Sequence, residues 1–215
     1  MNARTIILSL VMLLVIPVVV AAAEPAELTP HWSVEVKGGY FYPDIENWKT
    51  FYGDDKTWHY AGSIAYKLFR QLEIGVEAGL IKDNGRAYAP LNAVIVGNVV
   101  YEVAPVNVFV LVRGVFSENQ WLVPYAGGGW TRIYYREEIE GQATVRGSVN
   151  GYHGRAGLQL LLDGMDSRAA NNMLMDYGVH HTYFFGEVQI THATVGTPEV
   201  NLGGTSYLMG FLFEF

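Results

Sequence analysis

The chain has 215 residues, a formal net charge of −7 and no cysteine, and 50% of its residues are hydrophobic. The lack of cysteine excludes disulfide bonds and a lipid-modified cysteine, and an acidic chain without basic clusters argues against nucleic acid as a partner. Glycine is abundant at 24 residues, and no apolar run after the first two dozen residues approaches the length of a spanning helix. The composition therefore favours a single all-β unit.

The chain begins with the pattern of a secretory signal peptide. Arg4 supplies a positive charge, residues 6–20 are almost wholly apolar, and Ala21–Ala23 forms a small-residue cleavage site. A retained membrane anchor is the alternative, because the apolar run borders on spanning length. We predict a signal peptide over residues 1–23 and one mature unit over 24–215, whose net charge is −8 because cleavage removes one base and no acid.

Eight later segments alternate between large apolar residues and small or polar ones. Alternation with period 2 is typical of strands that have one apolar face. The fifth segment is the exception, because its glycine-rich sequence does not indicate which face is apolar. The predicted strands are residues 32–42, 57–68, 72–82, 98–116, 121–135, 149–162, 179–192 and 205–215.

The connections between these strands alternate in length. Those after the second and fourth strands have three or four residues, whereas those after the first, third, fifth and seventh have about ten or more. Short turns on the periplasmic side and long loops on the extracellular side are typical of outer-membrane barrels. The connection after the sixth strand predicts a short helix over 166–177, with Asp166 or Ser167 as N-cap and Gly178 as C′ residue; an irregular turn is the alternative.

The last predicted strand carries a row of large apolar side chains on one face: Tyr207, Met209, Phe211, Phe213 and Phe215. A strand of this kind that ends in Phe resembles the closing strand of bacterial outer-membrane β-barrels. The resemblance implies that Phe211, Phe213 and Phe215 form the signal that the outer-membrane assembly machinery recognises.

The whole mature chain resembles the small barrels of the OmpA-transmembrane and OmpW-like type. The resemblance rests on the signal peptide, the eight strands, PYAGGGW in the fifth strand and GGTSYLMGFLFEF at the end. It implies an all-β fold, an eight-stranded antiparallel transmembrane β-barrel with a short periplasmic helix between strands 6 and 7. We expect a monomer in the outer membrane that contacts its lipids and lipopolysaccharide.

The inner faces of the predicted strands carry five acids and four bases. An eight-stranded barrel is only wide enough inside for side chains, so these charges are expected to neutralise one another and to leave no large pore. Lys67 is predicted to lie directly opposite Glu73 across the turn between the second and third strands. The nine residues are Glu35, Lys37, Lys67, Glu73, Glu77, Arg113, Arg155, Glu187 and Glu214.

Two histidine-containing segments are candidates for reactive or metal sites. His192 and Thr194, near the extracellular end of the seventh strand, resemble part of the motif of lipid A 3-O-deacylases, in which a His and a Ser stand two residues apart. Here the Ser is replaced by Thr, and no carboxylate follows on the outer half of the last strand. His180 and His181 are neighbours on a strand and point to opposite faces, so we expect no metal and no cofactor.

The expected function is non-enzymatic: a structural role, or interaction with small molecules or surfaces. The first long loop is the best candidate for contact with lipopolysaccharide or a partner, through Trp48, Phe51, Tyr52, Asp54 and Asp55. A lipid A-modifying hydrolase that uses His192 and Thr194 is one alternative. The resemblance to OmpW-like proteins implies another, a narrow channel for small apolar solutes.

Overall fold

The structure is a computed structural model that describes residues 30–45, 48–88, 95–117, 120–139, 144–196 and 200–215. The predicted signal peptide lies outside these residues. Within the described ranges, no helix is both long enough and apolar enough to cross a membrane.

Eight long strands form one closed antiparallel barrel, in the order β1-β10-β7-β6-β5-β4-β3-β2. The predicted eight-stranded antiparallel β-barrel is confirmed, as is the helix between the sixth and seventh barrel strands. A two-stranded hairpin, β8–β9, lies outside the barrel sheet. The elements are β1 Trp32–Pro43, α1 Trp48–Tyr52, β2 Thr57–Phe69, β3 Leu72–Tyr88, β4 Ile95–Arg113, β5 Leu122–Ile139, β6 Val145–Leu161, α2 Ser167–Tyr177, β7 His181–His192, β8 Thr194–Val195, β9 Val200–Asn201 and β10 Gly204–Glu214.

The barrel closes where β10 pairs with β1. Their register runs from Ser33 opposite Glu214 to Pro43 opposite Gly204. Beyond the strand, the Phe215 N–H donates to the Trp32 carbonyl (2.8 Å), and the Phe215 carbonyl accepts from the Trp32 N–H (3.0 Å). Closure removes the open sheet edge whose backbone groups would be unsatisfied in lipid.

The outer surface of the barrel is apolar over the middle of the strands. On β10, the outward Tyr207, Met209 and Phe211 are exposed, whereas the alternating inward Leu208 and Leu212 are buried. An apolar band of this kind around a closed barrel is the surface that a lipid bilayer covers. Exposed aromatic side chains occur near both ends of the strands, and they include Trp32, Tyr66, Trp121, Trp58, Tyr60, Trp130 and Tyr152.

Two hairpins are taller than predicted. The segments 83–97 and 136–148 were predicted to be loops, but β3 and β5 continue to Tyr88 and Ile139. The partner strands β4 and β6 begin at Ile95 and Val145. The apolar alternation fades here because both faces can meet water above the membrane, while the backbone pairing continues.

Three smaller predictions about connections were wrong. The first loop contains the helix α1, and residues 193–203 contain the β8–β9 hairpin. The fourth strand was predicted to end at residue 116 but ends at Arg113. The turn after it is held by Gln120, whose Nε2 donates to the Gly114 and Leu122 carbonyls, both at 2.7 Å. Such side-chain-to-backbone bonds depend on the folded turn and leave no periodic pattern.

The helix α2 has the two ends that its sequence predicts. The Asp166 carboxylate accepts hydrogen bonds from the Arg168 and Ala169 backbone N–H groups (3.1 and 3.0 Å). Gly178 has a φ of +70° and donates its N–H to the Leu174 carbonyl, the left-handed end that favours glycine. The helix therefore begins at Ser167, directly after its cap.

The fifth strand, whose orientation the sequence left open, has Gly127, Gly129 and Thr131 on its inner face. A Cβ atom at Gly129 would collide with the Val108 carbonyl of β4, and one at Gly127 would collide with the Val110 carbonyl. Glycine is required because the two backbones approach too closely for any side chain.

Candidate functional site

The structure places all nine of the predicted inner charges inside the lumen. Eight are buried and Lys67 is nearly so, with its side chain 9% exposed. They form two groups along the barrel axis. We call Lys67, Glu73, Arg113 and Glu214 the lower charge cluster, on the side of the short turns. We call Glu35, Lys37, Glu77, Arg155 and Glu187 the central charge cluster.

Arg155 is the hub of the central charge cluster. Its Nη1 donates to Glu77 Oε2 (2.9 Å), its Nη2 to Glu35 Oε1 (3.1 Å), and its Nε lies 3.2 Å from Glu187 Oε2. These carboxylates come from β3, β1 and β7, so one guanidinium on β6 joins four strands across the lumen. The Arg155 Cζ also lies 4.2 Å from the centre of the Phe109 ring, which packs against the flat cation.

Lys37 supplies the second cation of this cluster. Its Nζ lies 2.6 Å from both Glu77 Oε2 and Glu187 Oε1. Three carboxylates then face two cations, and neutral donors supply the remaining contacts to oxygen. These donors are Ser63 to Glu35 (2.7 Å), Asn107 to Glu77 (2.8 Å) and Tyr125 to Glu187 (2.8 Å).

The lower charge cluster is built around Arg113. Its Nη1 contacts Glu73 (2.8 Å) and Glu214, and its Nε donates to Gln159 Oε1 (2.9 Å). Lys67 lies opposite Glu73 in the strand register, as predicted. Its Nζ nevertheless pairs with Glu214 at 2.6 Å, while Glu73 accepts hydrogen bonds from Arg113 and from Ser33.

A neutral polar layer lies next to the central charge cluster. His59 Nδ1 is 2.9 Å from Ser206 Oγ, and Thr131 Oγ1 is 2.8 Å from both Asn107 Oδ1 and His153 Nδ1. The alternation of side chains along β2 and β6 places both histidines on the inner face of their strands, towards the lumen. Their partners could not be identified from sequence, because Ser206 and Thr131 belong to other strands.

The extracellular end of the lumen is closed by an apolar cap. Trp48 of α1 stacks on Tyr52 with ring centres 3.9 Å apart and meets the edge of Tyr101 at 5.1 Å. Burial raises the pKa of the Tyr52 phenol, which therefore stays neutral. The apolar cap comprises Phe41, Trp48, Ile81, Tyr101, Val103, Ile133, Ala193 and Leu202.

The prediction that the first loop presents its aromatic residues to a partner is corrected for Trp48. This side chain is only 4% exposed, because it turns into the barrel mouth where apolar area is available. Tyr52 is half-buried beside it, whereas Asp54 and Asp55 are exposed. The side chain of Phe51 lies outside the described residues.

A small cavity separates the apolar cap from the polar layer. Its volume is about 10 Å³, close to the roughly 10–15 Å³ that one water molecule requires. Its wall includes Phe41, Val103 and Ile133 on one side, and His59 and Gln189 on the other. A space of this size does not pass a solute through the barrel.

The other candidate residues are not assembled into a reactive site. The His192 ring packs against Tyr152 with centres 5.2 Å apart, and no hydrogen bond joins it to Thr194, which lies in β8. His181 Nδ1 pairs with Asp163 Oδ2 at 2.7 Å, a contact that sequence reasoning missed because α2 separates the two residues. Within the described part of the chain, no three potential ligands come together around a metal position.

No protein-family model and no curated protein matches the chain, but several solved structures share its fold. OprG from Pseudomonas aeruginosa has a TM-score of 0.59 at 14% identity, with 86% of this chain and 97% of that chain covered. Neisserial surface protein A has a TM-score of 0.56 at 11% identity with the same coverage. Yersinia pestis Ail, in complex with the heparin analogue sucrose octasulfate, gives 0.50 at 9%, covering 86% and 99%.

These similarities establish the fold. The chain is a small eight-stranded barrel of the kind found in bacterial outer membranes, and its apolar outer band is the surface that such a location requires. The resemblance to lipid A 3-O-deacylases rests on a few residues of sequence alone.

Proposed function

We propose that the protein is a non-enzymatic outer-membrane barrel with a closed interior, which acts through its outer surface and its extracellular hairpins. The observation that carries the proposal is the bridging of the lumen by Arg155, whose guanidinium contacts carboxylates from three other strands. Fold-level similarity supports the barrel class, and Ail shows that a barrel of this fold can bind a sulfated sugar.

The lumen is expected to stay closed because its charges depend on one another. Removing one member of a buried ion pair leaves an uncompensated charge, at a cost of about 3–5 kcal/mol. A gap wide enough for ions would have to separate Arg155 from Glu35, Glu77 or Glu187. Thermal motion at room temperature supplies too little energy to separate these ion pairs often.

Planar-bilayer recording tests the closed interior. The purified, refolded protein is expected to give no discrete conductance, whereas regular channel openings in the wild-type protein would overturn the proposal. A matched variant that combines Lys37→Ser, Glu77→Ser and Arg155→Ser removes the bridging side chains. This variant is expected to conduct if it folds, which slower migration after boiling would establish.

The absence of enzymatic activity is tested on the lipid. Mass spectrometry of lipid A from cells with and without the protein is expected to show the same acylation. Loss of one acyl chain that depends on both His192 and Thr194 would favour the hydrolase instead.

Recognition of Phe211, Phe213 and Phe215 by the assembly machinery, and the monomeric state, stay predictions. Phe211 is exposed on the outer face, as a recognition residue must be.

A second candidate, passage or binding of small apolar solutes, is favoured by the apolar cap and the cavity beneath it. Lined by Phe41, Val103 and Ile133, the upper lumen offers an apolar solute a place to enter after α1 moves. Uptake of an alkane by vesicles that contain the protein tests this candidate, with Val103→Trp as the variant that fills the space. Uptake equal to that of protein-free vesicles would exclude it.

A further inference from the structure

We propose that the outer face of the β5–β6 hairpin binds the phosphate groups of lipopolysaccharide through Arg132, Arg136 and Arg146. The proposal concerns the outside of the barrel and does not depend on the closed lumen. It goes beyond the proposed function because it names a ligand chemistry and the residues that hold it. We call these three residues and the surface between them the arginine patch.

The strand register itself creates an electrostatic problem at this place. Arg136 of β5 and Arg146 of β6 lie directly opposite each other. Like charges in directly opposite positions destabilise a strand pair. An anion bound between the two guanidinium groups would turn this repulsion into two favourable contacts. Arg132 is four residues away on the same face of β5 and extends the patch towards the membrane.

The arginine patch keeps hydrogen-bond donors available. Arg132 Nη2 donates to the neutral Ser148 Oγ at 3.0 Å, and its Cζ lies 5.4 Å from the Tyr134 ring centre. These contacts orient the guanidinium without neutralising it. Within the described part of the chain, neither Arg132 nor Arg146 has a carboxylate within ion-pair distance.

Acidic residues near the patch compensate it only in part. Arg136 pairs with Glu138 at 2.7 Å, and both side chains are partly exposed, at 29% and 50%. Glu102 of β4 lies opposite Arg136 in register but makes no ion pair with it in the structure. An exposed ion pair of this kind is worth about 1 kcal/mol or less. A more highly charged anion can therefore bind Arg136 beside Glu138 or in its place.

The position of the patch relative to the membrane selects the anion. Trp130 and Tyr152 are directly opposite each other on β5 and β6, both exposed on the outer face and two residues nearer the membrane centre than Arg132. Exposed aromatic rings lie at the membrane interface. The guanidinium groups beyond them are therefore at the level of the lipid headgroups in the outer leaflet.

The chemistry of a phosphate suits three arginines better than that of a carboxylate. A phosphate monoester carries more than one negative charge and has three acceptor oxygens, and guanidinium groups bind such oxygens in pairs. Lipopolysaccharide is the phosphorylated lipid of the outer leaflet. Below the aromatic pair, a Cβ atom at Gly154 would meet only a backbone oxygen at 3.9 Å, so the surface is low enough for an acyl chain to lie against it.

The test compares two triple variants that remove the same number of charges. The first combines Arg132→Gln, Arg136→Gln and Arg146→Gln. The second combines Lys49→Gln, Lys56→Gln and Lys82→Gln, three bases that lie outside the β5–β6 hairpin, on α1, directly before β2 and on β3. Binding of fluorescent lipid A to the full refolded protein in zwitterionic nanodiscs is expected to weaken at least tenfold in the arginine variant. It should stay within twofold of the wild type in the lysine variant.

A second comparison uses lipid A from which both phosphates have been removed. The wild-type protein is expected to bind it as weakly as the arginine variant binds the phosphorylated lipid. Equal binding of both lipids by the wild type would overturn the proposal, because acyl contacts alone would then suffice. Equal losses in the two triple variants would also overturn it, because they would indicate general charge attraction.

The same measurements separate this proposal from that of a closed barrel. All three proteins should show the same shift in gel migration after boiling, since no residue of the patch lies in the lumen. A conducting wild-type barrel that still binds lipid A through the patch would refute only the closed interior. A wild-type barrel that gives no conductance and binds phosphorylated and dephosphorylated lipid A equally well would refute only the arginine patch.

Discussion

The two ends of the lumen are closed by different physical means. Towards the periplasm, two charge clusters are held together by short contacts between particular atoms, as around Arg155 and Arg113. At the extracellular end, the apolar cap is closed by packing, with Trp48 as a lid from a five-residue helix. The charged part depends on geometry and tolerates little change. The apolar part depends mainly on filled volume, so it should tolerate substitutions of similar size.

This difference has a consequence for where the protein opens. The charged residues project from paired barrel strands, whereas the described residues of the connection that carries Trp48 have few backbone partners in the barrel. Segments with fewer backbone partners open locally at lower free energy than the sheet. We therefore expect the upper end to open and close while the lower end stays fixed.

The largest effect is expected for Arg155→Met. The change leaves Glu35, Glu77 and Glu187 with Lys37 as their only buried cation, and it should lower the free energy of unfolding by about 3–5 kcal/mol. Urea unfolding in phospholipid vesicles measures it. Arg136→Met, at a partly exposed ion pair on the neighbouring strand, is the control and should cost about 1 kcal/mol or less. Equal costs would mean that the central charge cluster is not structurally important.

Trp48→Ala should come next, with an effect confined to the upper end. Loss of a buried tryptophan costs about 3 kcal/mol or more, but here it undocks α1 and leaves the barrel folded. Trypsin should then cut after Lys49 or Lys56 at least roughly tenfold faster, because more of the population is open. Trp58→Ala removes an outward tryptophan and is the control. Unchanged cleavage in Trp48→Ala would show that the lid is held by other contacts.

Ser206→Ala tests the polar layer between the two ends. It leaves His59 Nδ1 buried without its 2.9 Å partner, which should cost about 1–2 kcal/mol in the free energy of unfolding. Ser148→Ala, at an exposed serine, should cost less than about 0.5 kcal/mol. The double variant His59→Leu with Ser206→Ala should recover part of the loss, since both polar partners are gone. Absence of any recovery would argue against the hydrogen bond as the cause.

Lys67→Met should have the smallest effect of the four, about 1 kcal/mol. Its partner Glu214 keeps the contact with Arg113, and Lys67 lies at the edge of the lower charge cluster, where water reaches it. Lys37→Met in the central charge cluster is the matched comparison and should cost more, because Lys37 is fully buried between Glu77 and Glu187. A larger loss of unfolding free energy in Lys67→Met than in Lys37→Met would contradict the inference that the ion pairs of the central charge cluster are the more deeply buried.

Much of the candidate site was visible in the sequence because strand residues alternate. The inward side of each strand identified the nine charges without knowledge of their partners. The partners depend on how far neighbouring strands are staggered around the closed barrel. Lys67 shows the limit: its neighbour in register is Glu73, as predicted, but its ion pair is with Glu214, which arrives from the other end of the chain.

The sequence by itself determined the inward and outward sides of most strands and both ends of α2, because alternation and capping are local properties of the chain. Tertiary structure alone decided which charges meet, where Trp48 lies and how tall the hairpins are. Those outcomes arise when β10 closes on β1 and brings residues from distant strands to the same height. The arginine patch belongs to the second group, since the orientation of β5 was open from the sequence and only the pairing of β5 with β6 set Arg136 against Arg146.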